Sequence, residues 1–176
     1  MIHALTELLP TNLKHTLAMR GMTLFKIPLI FYVSPTVVEL TERRAEIRIP
    51  LCWRTKNHWG SMYFGALAIG ADCGGGLFCF NLLEEANRRL KKSGEKARID
   101  LIFKDFQGEF LKRADGDVHF ACEQGLEITE LVSKALKSGE REAMPVHITA
   151  TVPSLSGDEP VAQFILTLSI KKRTTK

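Results

Sequence analysis

The chain has 176 residues, with 24 Lys and Arg against 20 Asp and Glu for a formal net charge of +4, and 45% hydrophobic against 25% charged residues. This length and balance suit one domain with a filled core and exclude a disordered polar chain. The positive excess is mild and contains no block of five or more like charges, which argues against nucleic-acid binding and fits, at most, an anionic small molecule.

The four cysteines, Cys52, Cys73, Cys79 and Cys122, have neither C-x-x-C spacing nor the density of a secreted disulfide scaffold. Reduced, buried thiols in a cytoplasmic protein are expected, with no metal site. The start of the chain lacks the basic segment of a signal peptide and carries Glu7. The run Ser61–Leu83 is long and apolar enough to suggest a membrane span. Against that stand Asp72 near its centre, at about 2.5 to 3.5 kcal/mol for insertion, and the glycines at 65, 70, 74, 75 and 76. No membrane span is expected; a helix enclosed by a sheet accounts for the same hydrophobicity.

In chain order, Ala4–Arg20 predicts one or two helices with a break at Pro10, a cap at Thr11 or Asn12 and a stop at Gly21. Leu13, Leu17 and Ala18 would form the buried face. Met22–Pro35, interrupted by Pro28 and Pro35, predicts an apolar strap or short helix. Val37–Ile49 reads as one long strand whose apolar parity switches near Thr41–Arg44, as at a bulge. Leu51–Gly60 is a loop. At Gly74–Gly76 the helical run that follows could stop, kink or continue, and enclosure by a sheet favours the last because close packing rewards missing side chains. Ala97–Phe103 alternates as a half-buried strand, extends past a bulge at Gln107-Gly108 to Leu111, and turns at Asp115-Gly116 into an antiparallel Val118–Cys122. Leu126–Ser138 has helical spacing with Gly139 as its stop. Met144–Val152 and Ala162–Ile170 are the clearest strands. Antiparallel strands with one polar face need cover, and the only long apolar helix available is the one that holds Asp72.

That order, together with the motif Asn57 to Asp72 (N-H-W-G-S-M-Y-F-G-A-L-A-I-G-A-D), resembles the hotdog fold. It is similar in particular to the phenylacetate-pathway type of acyl-CoA thioesterase and to a related hotdog family of unknown function. In those thioesterases an Asn precedes a His-Gly-Gly by six residues and an Asp follows the His by nine. Asn57 and Asp72 stand at the Asn and Asp positions, while Tyr63-Phe64-Gly65 replaces His-Gly-Gly. The resemblance implies an α+β fold in which a curved antiparallel sheet of about five strands wraps a long central helix. Residues 1–36 would be an N-terminal helical extension and 37–176 the core of a single domain. It also implies a homodimer or dimer of dimers joined edge to edge, with Asp72 of one chain meeting Asn57 of the other. No cofactor is implied beyond the coenzyme A of the substrate.

Thioester hydrolysis needs a base or nucleophile near the carbonyl carbon and donors near the developing oxyanion. Gly65 can offer a backbone N–H at the helix start, and Asp72, enclosed and so raised in pKa, suits a general base or nucleophile. Asn57 could orient water or the thioester oxygen, and Tyr63 could donate a hydrogen bond. Lys56, Trp59, Ser61 and Phe64 are candidate substrate contacts, and Lys56, Lys104, Lys112 and Arg113 are candidate partners for the cofactor phosphates. The plainer readings are an Asp72 that bonds a strand amide or Arg98, an Asn57 that serves only the turn, and His119 and His147 as isolated strand residues. A hotdog that binds an acyl ligand without hydrolysis is the competing function, and a dehydratase of the same fold is weaker because no His lies between Tyr63 and Phe80.

Overall fold

The computed structural model describes residues 10–174; the expected helix at Ala4–Leu9 lies outside them. The elements are α1 (Thr11–Lys26), α2 (Pro28–Tyr32), β1 (Thr36–Leu40), β2 (Ala45–Ile49), α3 (Phe64–Lys92), β3 (Ala97–Phe110), β4 (Val118–Cys122), α4 (Gly125–Ser138), β5 (Glu142–Thr151), α5 (Pro153–Ser156) and β6 (Pro160–Thr174). The six strands form one antiparallel sheet in the order β1-β2-β4-β5-β6-β3, and α3 lies on its inner face. This is the hotdog fold, with six strands.

The inner face is set by alternation. Ile47 and Ile49 of β2, Val118 and Phe120 of β4, Val146 and Ile148 of β5, and Phe164, Leu166 and Leu168 of β6 are all essentially inaccessible. They meet α3, a helix of 29 residues that runs unbroken through its glycines, as predicted. A methyl group on Gly70 would sit 2.2 Å from the Phe120 ring, and one on Gly75 would be 3.2 Å from Ile148. The helix therefore lies close enough to the strands that its lost propensity is offset by packing.

Four expectations are corrected. Val37–Ile49 is not one strand but the hairpin β1–β2, because the parity switch at Thr41–Arg44 is a turn in which the Thr41 amide donates to the Arg44 carbonyl. The bulge of β3 falls between Phe103 and Phe106, where Asp105 accepts from the Thr167 amide that the bulge frees. Gly108 instead makes room for the Phe164 ring, 2.9 Å from where a Cβ would be. Asp115-Gly116 does not join a hairpin: β4 lies between β2 and β5, and β3 pairs with β6 across the sheet. Turn chemistry reports a reversal of direction, not the identity of the neighbouring strand.

The fourth correction concerns α1, which continues past Gly21 and has Pro10, not Thr11 or Asn12, at its cap position. Its buried residues are Thr16, Met19 and Thr23, whereas Leu13 and Leu17 face outward. The inward face is polar because it closes the β1 edge. The Thr16 hydroxyl donates to the Asn12 carbonyl and accepts from the Val37 amide at 2.9 Å, and the Asn12 side-chain amide donates to the Val38 carbonyl. An edge strand thus gains side-chain partners where another strand would otherwise dock. Thr16→Val keeps the shape but leaves the buried Val37 amide unpaired. It is expected to cost about 1 to 3 kcal/mol, read as a lower urea midpoint at unchanged slope, while Thr11→Val, at an exposed site, stays within about 0.5 kcal/mol of wild type.

Candidate active site

The loop before α3 is held from several sides. Thr55, fully buried, donates its hydroxyl to the Pro50 carbonyl at 2.6 Å and accepts from the Cys52 amide, and its carbonyl receives the Tyr63 amide at 2.7 Å. The Met62 amide donates to the Ala114 carbonyl. Within the loop, Asn57 accepts from the Trp59 amide at 2.9 Å and donates to the Ser61 hydroxyl at 3.1 Å, and its backbone amide binds the Ser61 carbonyl. Its side chain is thereby committed to the turn that aims the helix.

At the helix start, Tyr63 occupies the cap position without a capping side chain. The amides of Ala66 and Leu67 are taken by the Tyr63 carbonyl, whereas those of Phe64 and Gly65 have no protein acceptor among the described residues. Two N–H groups and the positive end of a 29-residue helix therefore face outward. The Tyr63 ring folds over Gly65, where an added Cβ would lie 2.7 Å from its Cε1, and stacks obliquely on Phe64 at 4.6 Å.

Only one stripe of the first half of α3 is left uncovered by the sheet. It runs through Phe64, Gly65, Ala68, Asp72, Gly76 and Phe80, at the spacing of one helix face. Asp72 is the single ionisable group on it and is half-buried. Its carboxylate has no hydrogen-bond or ion-pair partner among the described residues, and burial raises its pKa above the usual 3.8. Gly76 leaves space beside it, with the Asp72 Oδ1 3.9 Å and the Phe103 ring 3.7 Å from where a Cβ would sit. The Arg98 of the plainer reading does not reach Asp72 but binds Asp100 at 2.7 Å.

The remaining candidates separate. Trp59 and Lys56 are exposed at the loop and Ser61 is buried beneath it. Arg113 donates to the Trp59 carbonyl at 3.1 Å and so borders the helix start, while Lys112 is paired with Glu159 and Lys104 lies at the β3 bulge. The sequence reading missed Thr55, Phe103 and the Phe64 amide. It also took His119 as isolated, whereas its Nδ1 lies 2.5 Å from Glu46 across β2 and β4. That pair belongs to the outer face, where clefts of about 350 and 580 Å³ open away from Asp72.

The same architecture recurs in solved structures. A protein of unknown function from Pseudomonas aeruginosa, described as a probable thioesterase, is 23% identical, with 94% of this chain and 97% of that one covered at a TM-score of 0.69. A protein of unknown function from Chlorobaculum tepidum is 10% identical, with 93% and 98% covered and a TM-score of 0.68. A thioesterase from Haemophilus influenzae is 14% identical, with 81% of each chain covered and a TM-score of 0.55. No curated protein matches the chain. The family model of a domain of unknown function, DUF4442, matches residues 16–168, from within α1 to within β6, and the chain belongs to that family.

Proposed function

We propose that the chain is an acyl-CoA thioesterase in which Asp72 activates water and the backbone amides of Gly65 and Phe64 receive the oxyanion. The observation that carries this reading is Asp72 itself, an unpartnered, half-buried carboxylate with raised proton affinity on the one open stripe of the core helix. A carboxylate kept there without a partner is costly to the fold and suited to accept a proton from water. The thioesterase descriptions of the Pseudomonas and Haemophilus relatives agree with it.

Geometry adds a second copy to this proposal. Gly65 and Asp72 lie seven residues apart on one helix, about 10.5 Å along its axis. A base acting through one water must stand within about two hydrogen bonds of the carbonyl it serves, so the two residues of one chain do not share a substrate. Two antiparallel copies of α3 place Asp72 of one chain opposite Gly65 of the partner subunit. The free edge of β3, 14 residues long, offers the pairing surface, and Phe106 and Phe110 are exposed along that strand. In that arrangement Tyr63 and Phe64 would border the acyl entrance and Asn57 would position the loop, while Lys56 and Arg113, the latter also paired with Asp115, are the cations proposed for the phosphates. Asp72 acts as general base; in the alternative, Asp72 itself attacks the carbonyl carbon, the C–S bond breaks with release of CoA thiolate, and water then cleaves the resulting anhydride, so that the two routes differ by labelled oxygen in the carboxylate.

The test is release of free CoA thiol from a panel of acyl-CoA substrates by purified protein, with mass measured by light scattering. Hydrolysis by a dimer is the expected result. Binding without turnover favours the second reading, an acyl-binding hotdog, for which the exposed Tyr63 and Phe64, in place of the His and the first Gly of the thioesterase motif, speak; a monomer that hydrolyses removes the shared site.

A further inference from the structure

The outward face of α1 and α2 is apolar. Leu13, Leu17, Leu24, Phe25, Ile27 and Leu29 all reach solvent, Phe25 at 85% and Leu29 at 62% of its full exposure. Such residues on a helix pair normally face a core; here the threonines do, because they seal the β1 edge. The surface continues onto the loop before α3. Trp53 is 74% exposed and meets Tyr32 edge to face at 6.3 Å, with the Arg54 guanidinium 5.6 Å above the Tyr32 ring.

Charge decides what this surface fits. From Leu8 to Val38 the sequence carries Lys14, Arg20 and Lys26 and no carboxylate. Arg20 is held by the carbonyls of Ser34 and Pro35, with no counter-ion among the described residues. Burial lowers its pKa from the ordinary arginine value, and the nearby charges of Arg48, itself paired with Asp117, and Arg54 lower it further, so three arginines gather behind the aromatic residues. A two-fold contact between copies through this face would set like charges against each other. An anionic lipid surface instead meets the exposed Lys26 and the arginines behind it with phosphate and takes the apolar side chains into its acyl boundary, with Phe, Tyr and Trp at headgroup depth.

We infer that α1 and α2, with Trp53 and Tyr32, form a peripheral docking surface for an anionic lipid bilayer. The chain lies on the membrane through this face and does not cross it. The inference stands apart from the thioesterase reading, since it uses no residue of the α3 stripe.

The full chain is sedimented with vesicles of phosphatidylcholine alone and of phosphatidylcholine with phosphatidylglycerol. Binding is expected to be at least about tenfold stronger to the anionic vesicles and to weaken with added salt. The double variant Phe25→Ser/Leu29→Ser, at sites exposed in the fold, is expected to keep its circular dichroism spectrum and lose more than about tenfold in vesicle binding. Absence of binding, equal binding to both vesicle types, or undiminished binding by the double variant overturns the inference. A double variant that instead shrinks the assembly in light scattering, with no vesicle binding by wild type, assigns the face to a second copy and overturns it equally.

Discussion

Asp72→Asn is expected to lower acyl-CoA hydrolysis by about two to four orders of magnitude while making the folded chain more stable at neutral pH. Both effects have one cause. Enclosure favours the protonated carboxyl in the folded state, so its pKa there lies above the unfolded value. Between those two values the folded chain holds a proton that the unfolded chain has released. Stability therefore falls as pH rises through that window, and the penalty stands in full above the folded pKa. Asparagine carries no such penalty. The variant should melt higher than wild type at pH 7, and the advantage should vanish as pH falls below the ordinary carboxylate range. The wild-type rate should fall on the acid side at a pH above that range, as the base takes up its proton. Thermal melts at pH 3 and 7, with thiol release across the same span, check all three. Unchanged hydrolysis would remove the mechanism, and a variant less stable at pH 7 would give the carboxylate a holding role.

Phe120→Ala should be the most damaging of the core truncations, at about 3 to 5 kcal/mol. Phe120 is fully buried on β4 and lies where Gly70 and Gly74 bare the surface of α3, with the Phe164 ring 6.4 Å away. The converse change, Gly70→Ala, drives a methyl to 2.2 Å from that ring and should cost about 1 to 3 kcal/mol by overpacking. The two sites share one volume. The double variant should therefore be more stable than the sum of the single losses allows, because the new methyl fills part of the void. Urea unfolding of the four chains measures the difference, and simple additivity would show that helix and strand do not meet there.

How much of this was legible in the sequence follows from which forces were local. The long helix, its passage through Gly74–Gly76, the strands β5 and β6 and the stop at Gly139, whose φ is +69°, are all written in period and turn chemistry. The hairpin at Thr41–Arg44 was readable only as a parity switch, since a turn and a bulge leave the same trace. The order of strands was not local at all: β3 finds β6 across more than fifty residues, and nothing at Asp115-Gly116 marks that choice. The polar inner face of α1 was misread for a related reason. Leu13 and Leu17 outrank Thr16 and Thr23 on any hydrophobic scale, but an edge strand needs hydroxyls and amides more than it needs hydrocarbon. At the candidate site, a spaced motif singles out Asp72 and Gly65. Phe103 and Thr55, which come from other segments or point inward, carry no sequence mark.

The two ends of the sheet are treated differently, and this bears on how the chain grows. β1 is closed by Thr16 and Asn12, whereas β3 keeps a bare edge. A sheet with two bare edges can add copies without limit; a sheet with one can add only another like itself, facing the opposite way, after which no bare edge remains. In the proposed dimer, the threonine face of α1 would thus make association through β3 self-terminating. A chain stripped of α1 would be the one to watch for fibres.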